Sequence, residues 1–400
     1  MTLAVPRRIL PVIVLSQFAG TSLWFAVNAV MPDLQQAWNL PAEAVGALTS
    51  AVQLGFVAGT LAFALLMVAD RFSPSRVFLA CAVLGALANA AVVLLNGQFT
   101  LLLVLRFAVG FLLAGVYPVG MKIAASWYRE RLDAVMGVLI GALVLGTALP
   151  HGLRALGVDA TGAGIALFGL APWQVVVLSV SLLATLGGVA TALWVPDSPT
   201  LSRGARITPR ALSVIWTDRK VRASVFGYFG HMWELYAFFV LLPLVLASRL
   251  PATQVSAAAF VVIAGGFVGC AGGGLLARHW GSARVAGGQL GVSGLCCLLA
   301  PVMLVAPLPV FVLWLLVWGV TVSGDSPQFS TLTAHNAPRE IAGSVLTFSN
   351  CIGFIISVVS IELFVRLAHA WPLGAVLPWL GLGPLVGVWL VRPLMRRVRT

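Results

Sequence analysis

Glu234, His231, Asp325 and Arg106 stand inside long apolar runs of this chain, where an ionisable side chain is expensive enough to need a reason. Glu234 lies near the middle of the run that contains Tyr228-Phe229-Gly230-His231-Met232-Trp233-Glu234-Leu235-Tyr236. His231 precedes it by one helical turn, so both can face the same way. A carboxyl group in apolar surroundings is costly when ionised and tolerable when protonated, which suits it to taking up and releasing a proton. An imidazole can share or relay that proton. The plain alternative for Glu234 is a structural hydrogen bond to a neighbouring helix. Asp325 stands in Ser323-Gly324-Asp325-Ser326-Pro327-Gln328, where Gly and Pro around a charge point to an interrupted helix lining a cavity. Its alternative is a salt bridge, for instance with Lys122 or Arg339. Arg106 could bind an anionic solute, or it could hold its helix through a fixed internal ion pair. Arg106, Gly110, Leu113 and Tyr117 share one helical face, which puts Tyr117 beside the same cavity.

Neutral polar groups add a second candidate set. Gln17, Thr21, Trp24 and Asn28 follow helical spacing and form a stripe that must face protein or a wet cavity in hydrocarbon. Interhelical hydrogen bonding explains the stripe equally well. Ser344, Thr347 and Asn350 make a shorter one. Tyr228 and Tyr236 flank the Glu234 segment and join Arg106, Tyr117, Asn350 and the first stripe as candidate solute contacts. Glu362 and Arg366, four apart, read as a surface pair, and Lys122 reads as a snorkelling residue.

The elements that must position these residues are membrane spans. Hydrophobic residues make up 60% of the sequence and charged residues 9%, far below the proportion of a soluble protein. Twelve apolar runs are each long enough to cross a bilayer as a helix, at roughly 9–30, 44–68, 77–95, 99–121, 134–151, 173–195, 222–247, 255–276, 285–306, 309–330, 341–366 and 375–391. They are called spans 1 to 12 below. The formal net charge of +12 does not indicate nucleic-acid binding, because of where the charge falls. Of the 24 Lys and Arg, all but Arg106, Arg154, Arg249 and Arg366 lie in alternate loops that share one side. That asymmetry predicts both termini in the cytoplasm and contact with membrane lipid. The five cysteines all fall in spans, so no disulfide is expected, and no spacing suits a metal site. No phosphate-binding loop is present, so ATP is not expected as the energy source, and no cofactor is expected.

The chain also repeats itself. Ala69-Asp70-Arg71-Phe72-Ser73-Pro74-Ser75-Arg76 and Ala277-Arg278-His279-Trp280-Gly281-Ser282-Ala283-Arg284 follow one template, 208 residues apart. Gln17 and Tyr228, Phe18 and Phe229, Phe25 and Tyr236, and Pro32 and Pro243 are each 211 apart; Gly115 and Gly324, and Pro118 and Pro327, are 209 apart. Parallel duplication predicts two six-helix bundles, 1–195 and 222–400. Between them, 196–221 reads as a cytoplasmic linker. Within it, Thr208 and Pro209 should start a short interfacial helix running to Thr217, with Arg219 and Lys220 at its end. A surface helix is also expected in the loop 152–172.

These residues give the chain a family resemblance. The loop from Ala69 to Arg76 resembles the loop 2–3 signature of the major facilitator superfamily, keeping Asp70, Arg71 and Arg76 and having Ser73 for a Gly. Arg106 with the stretch to Gly110 resembles that superfamily's second signature, in span 4. The resemblance covers the whole chain. It implies the superfamily's all-α fold of twelve helices and alternating access by rocking of the halves. It also implies gating or structural roles for Asp70, Arg71, Arg76, Arg131 and Arg284 on the cytoplasmic face. The drug-antiporter signature of helix 5 is degraded here to Gly137, Gly141, Ala142 and Gly146, with Pro only at Pro150. Gly115 to Trp127 is similar to the nitrate and nitrite porters, without their Asn-Gly-Gly signature, although Asn350 and Gly353 occur in span 11.

The expectation is therefore a multi-pass protein of the bacterial inner membrane, not an enzyme, working as a monomer. It would move a small polar, anionic solute in symport with protons carried by Glu234, His231 and Asp325. The alternatives are export of a drug or metabolite by proton antiport, and a non-transporting sensor or assembly factor on the same fold.

Overall fold

The computed structural model describes residues 5–128, 132–157, 169–201 and 207–396. Arg131 and most of the surface helix expected in 152–172 lie outside those residues. Among the described residues eleven helices are long and apolar enough to cross a membrane: Ala44–Leu65, Pro74–Leu94, Phe99–Trp127, Ala134–Leu156, Pro172–Trp194, Arg219–Ala247, Ala252–Trp280, Ser282–Met303, Leu308–Asn336, Ala342–Ala370 and Leu373–Met395. They correspond to spans 2 to 12. Their outward faces carry leucines such as Leu84, Leu87, Leu182, Leu186 and Leu193, as lipid-facing helices require. The chain is an integral, multi-pass membrane protein.

Span 1 differs from the rest. Its helix Ile9–Thr21 has 13 residues and covers only about 20 Å before the chain turns, continuing as Ala26–Ala29 and Met31–Trp38. The sequence explains the stop locally. Thr21 Oγ1 donates to Gln17 O at 2.8 Å and Ser22 Oγ to Ala19 O at 2.6 Å, so both hydroxyls bond back into the turn they end.

Spans 4 and 10 are each interrupted once, at matching points. Phe99–Leu113 gives way to Tyr117–Trp127, with Pro118 in the first turn, and Leu308–Gly324 to Ser326–Asn336, with Pro327 in the first turn. Proline has no N–H to donate, so the carbonyl four residues earlier loses its partner. For Pro327 that carbonyl is Ser323 O, and the thiol of Cys270 donates to it at 3.2 Å.

The linker helix forms over Arg210–Thr217, with Ala211 and Ile215 buried and Leu212 and Trp216 exposed. At its start the Thr208 N–H donates to Ser344 Oγ. Its other end differs from the expectation, because Arg219 and Lys220 do not close it. Asp218 accepts from the N–H groups of Lys220 and Val221 and so starts the next helix, of which Arg219 and Lys220 form the first turn. A carboxylate is the better acceptor at a helix N-terminus.

The chain divides into two compact units, 1–206 with 252–260, and 207–251 with 261–400. In the first, spans 2 and 4 meet at glycines. A Cβ on Gly110 would lie 2.0 Å from Val52 O and one on Gly55 2.1 Å from Phe107 O, so the backbones touch as only glycine allows. At one end, Val27, Val30, Met31 and Leu34 pack with Leu48, Leu102, Trp173 and Val177. Also in this unit, Arg154 grips both carboxylate oxygens of Asp33, at 2.8 and 3.0 Å, and donates to Ser256. In the second unit, span 7 lies close against span 12, where a Cβ on Gly230 would be 2.3 Å from Gly383 O.

Candidate functional site

Glu234, His231 and Asp325 are all 0% exposed, and all belong to the second unit. Although His231 and Glu234 are one turn apart, they take different partners. Three donors converge on the Glu234 carboxylate: Trp318 Nε1 at 2.6 Å and Cys297 Sγ at 3.1 Å reach Oε1, and Ser293 Oγ at 2.8 Å reaches Oε2. Spans 9 and 10 thus surround a carboxylate that span 7 projects. Trp318 is held by ring contacts with Phe238 at 4.4 Å and Trp314 at 5.2 Å. An indole N–H can only donate, so it favours an acceptor opposite it.

His231 turns to span 10. Its Nδ1 lies 2.8 Å from Asp325 Oδ1, at the interruption of that span. Among the described residues no Lys or Arg pairs with Asp325, so the alternative of a salt bridge to a basic side chain is not seen there. The imidazole–carboxylate contact is short, and the other polar atoms of the pair, Nε2 and Oδ2, have no hydrogen-bond partner among the described residues. Tyr228 places its ring 5.8 Å from the imidazole, and Tyr236 packs on Phe354 at 5.4 Å. Asn350 is partly buried.

Arg106 belongs to the first unit and is fully buried. It forms no ion pair among the described residues. Nη1 donates to Asn89 Oδ1 at 3.1 Å, and Nη2 donates to Leu23 O at 3.0 Å and Trp24 O at 2.6 Å. Those two carbonyls sit in the break of span 1, where no helical N–H reaches them. Asn89 is itself fixed by bonds to Val177 O and Ser181 Oγ. The guanidinium therefore holds the broken span in place. Tyr117 lies beyond the interruption of span 4, so the single continuous face expected for it with Arg106 is broken; its ring stacks on Phe56 at 6.2 Å.

The stripe of span 1 is buried throughout. Asn28 donates to Thr49 Oγ1 at 2.6 Å and Trp24 Nε1 to Gln53 Oε1 at 3.2 Å, so part of it is interhelical bonding. Thr21 bonds within its own helix and, at 3.4 Å, to Leu143 O. Among the described residues neither amide atom of Gln17 has a hydrogen-bond partner, and Gln53 Nε2 has none.

Among the signature charges, Asp70 pairs with Lys122 at 2.8 Å, and Lys122 also donates to Ala69 O. Lys122 is thus more than a snorkelling side chain. Arg71 and Arg76 are exposed, and Arg284 Nε donates to Met395 O at 3.0 Å. Glu362 and Arg366 form the expected surface pair at 3.6 Å.

Sequence reasoning missed the partners: Asn89 for Arg106, and Ser293, Cys297 and Trp318 for Glu234. Each is a common residue of an apolar helix, and no spacing within one span shows which of them faces another span. The repeat holds the one signal that could have found a partner, since Asn89 and Cys297 are 208 apart.

Residues 13–361 match the family model described as Major Facilitator Superfamily. A gallate transporter of Pseudomonas putida is 28% identical over 169 residues, which are 38% of this chain and 37% of that protein, so the chain spans well under half of that relative's length. The crystal structure of the human organic anion transporter MFSD10 (TETRAN) superposes with a TM-score of 0.72 at 15% identity, over 96% of this chain and 99% of that one. The crystal structure of a mutant of the nucleoside transporter NupG superposes with a TM-score of 0.69 at 13% identity, over 97% of this chain and 100% of that one. These structures share the fold, and the family match extends over most of the sequence: the chain belongs to the Major Facilitator Superfamily.

Proposed function

We propose that the protein is a proton-coupled secondary transporter that moves a small organic anion by alternating access. The observation that carries this reading is the cluster of His231, Asp325 and Glu234, wholly buried on spans 7 and 10 of one unit. Ionisable groups at such depth mark ion and proton pathways. An imidazole in contact with a carboxylate can share or relay a proton. The gallate transporter supports an aromatic carboxylate as the solute class. Symport of a monoanion with one proton is electrically neutral, so a pH gradient alone can drive it. Arg106 is not part of the proposed solute site, because its Nη groups already hold span 1.

Purified protein in liposomes, loaded at high pH and diluted into lower pH, should accumulate radiolabelled gallate or a related benzoate and lose it on addition of a protonophore. A gradient of one pH unit drives about tenfold accumulation at one proton per anion. Apparent affinity for the anion should strengthen as pH falls, because the proton is a co-substrate of the anion. Uptake indifferent to the gradient, across a panel of aromatic and aliphatic carboxylates, would remove the proton coupling from this reading.

A further inference from the structure

The two halves of the chain can be compared position by position, and the comparison separates the three buried groups. Residues of spans 1 and 7 correspond at an offset of 211, and those around the interruptions of spans 4 and 10 at 209. By these offsets His231 corresponds to Gly20 and Asp325 to Val116. Gly20 and Val116 touch in the first unit, where a Cβ on Gly20 would lie 2.7 Å from Val116 Cγ1. His231 and Asp325 touch in the second. Each pair lies at the proline-marked interruption of its span. The fold therefore builds this crossing twice, once with glycine against valine and once with imidazole against carboxylate. The first version shows that the crossing packs without an ionisable group.

Glu234 gives the opposite result. It corresponds to Leu23, whose carbonyl accepts from Arg106, and Cys297 corresponds to Asn89, which also accepts from Arg106. Both units hold a buried polar anchor at this second place, a cation in one and an anion in the other. Resting on the proton-coupled reading above, we propose that the exchangeable proton belongs to the His231–Asp325 pair and that Glu234 is a positioning residue that anchors span 7 to spans 9 and 10. Loading adds a proton to the imidazole and gives an ion pair with the Asp325 carboxylate. Unloading breaks that N–H bond, passes the proton to water on the open side, and leaves neutral imidazole beside the carboxylate.

The titratable groups around the pair come from four spans. Glu234 and Tyr228 share span 7 with His231, and Asp325 acts on Glu234 through space. Cys270 of span 8 bonds to Ser323 O, two residues from Asp325, and Cys297 of span 9 bonds to Glu234. Asp325 itself comes from span 10. Among the described residues no Lys or Arg pairs with either member.

The test copies the first unit into the second. The double variant His231→Gly, Asp325→Val should fold and still exchange gallate in gradient-free counterflow, at a rate that no longer depends on pH, while its accumulation under a one-unit pH gradient falls from about tenfold to about one. His231→Gln with Asp325→Asn should do the same. Glu234→Gln should melt at lower temperature and transport more slowly, yet keep the wild-type accumulation ratio. Accumulation that survives in either double variant would overturn the assignment. So would failure of the glycine–valine variant to fold, or a Glu234→Gln protein with wild-type melting and counterflow but no accumulation. A wild-type protein that ignores the gradient would instead refute the proton-coupled reading itself, so the two failures are distinct.

Discussion

Arg106→Met should unfold the first unit more easily without emptying it. The substitution keeps a long, flexible side chain of similar bulk and removes the donors that reach Asn89 Oδ1, Leu23 O and Trp24 O at 3.1, 3.0 and 2.6 Å. Interhelical hydrogen bonds inside membrane proteins contribute about 0.6 to 1.7 kcal/mol each, so three are worth about 2–5 kcal/mol. Losing them strands two carbonyls in the break of span 1, and an unmatched buried acceptor costs about 1–3 kcal/mol. Removing a buried charge returns part of this, because the guanidinium no longer has to be desolvated. A net loss of about 3 kcal/mol is expected, roughly a 150-fold shift in the unfolding equilibrium. Arg106→Lys should fall between the two, since one ammonium cannot match the planar fork. Unfolding in mixed detergent, followed by tryptophan fluorescence, measures the shift, and scintillation proximity with labelled gallate measures binding on the same samples. An Arg106→Met protein that unfolds like wild type but no longer binds solute would refute the clamp and make Arg106 a solute ligand.

Trp318→Phe keeps the ring contacts with Phe238 and Trp314 and deletes the N–H that meets Glu234, so it should lower stability by about 1 kcal/mol. Unchanged unfolding would show that this donor contributes nothing. Gly110→Ala would push a methyl group to 2.0 Å from Val52 O, so spans 2 and 4 must part and at least about 2 kcal/mol should be lost; wild-type melting would mean that the contact yields freely. Single cysteines in 31–38 and 367–374 should react with an impermeant maleimide added outside cells, and those at 73 and 281–283 should not. The reverse pattern would invert the orientation that the charge asymmetry predicts.

Much of the architecture was legible from composition alone. In hydrocarbon every backbone group must bond within its own segment, so a long apolar run has little choice but a helix. The interruption of span 10 was also legible, because Gly324, Asp325 and Pro327 are local instructions to the backbone. The break of span 1 was not: Leu23, Trp24 and Phe25 are as apolar as their neighbours. That break depends on hydroxyls bonding back into their own turn and on an arginine from span 4 taking the role of the missing N–H groups.

Sequence by itself could also single out Glu234, His231, Asp325 and Arg106, because charge in an apolar run is conspicuous wherever the run goes. It could not say who meets whom. One turn of helix joins His231 to Glu234 along the chain, yet His231 meets Asp325, and Glu234 meets Ser293, Cys297 and Trp318. Residues within one span are related by a fixed helical geometry that can be counted along the chain. Contacts between spans depend on how each helix is rotated and where it is interrupted, and those are settled only when all the side chains pack together.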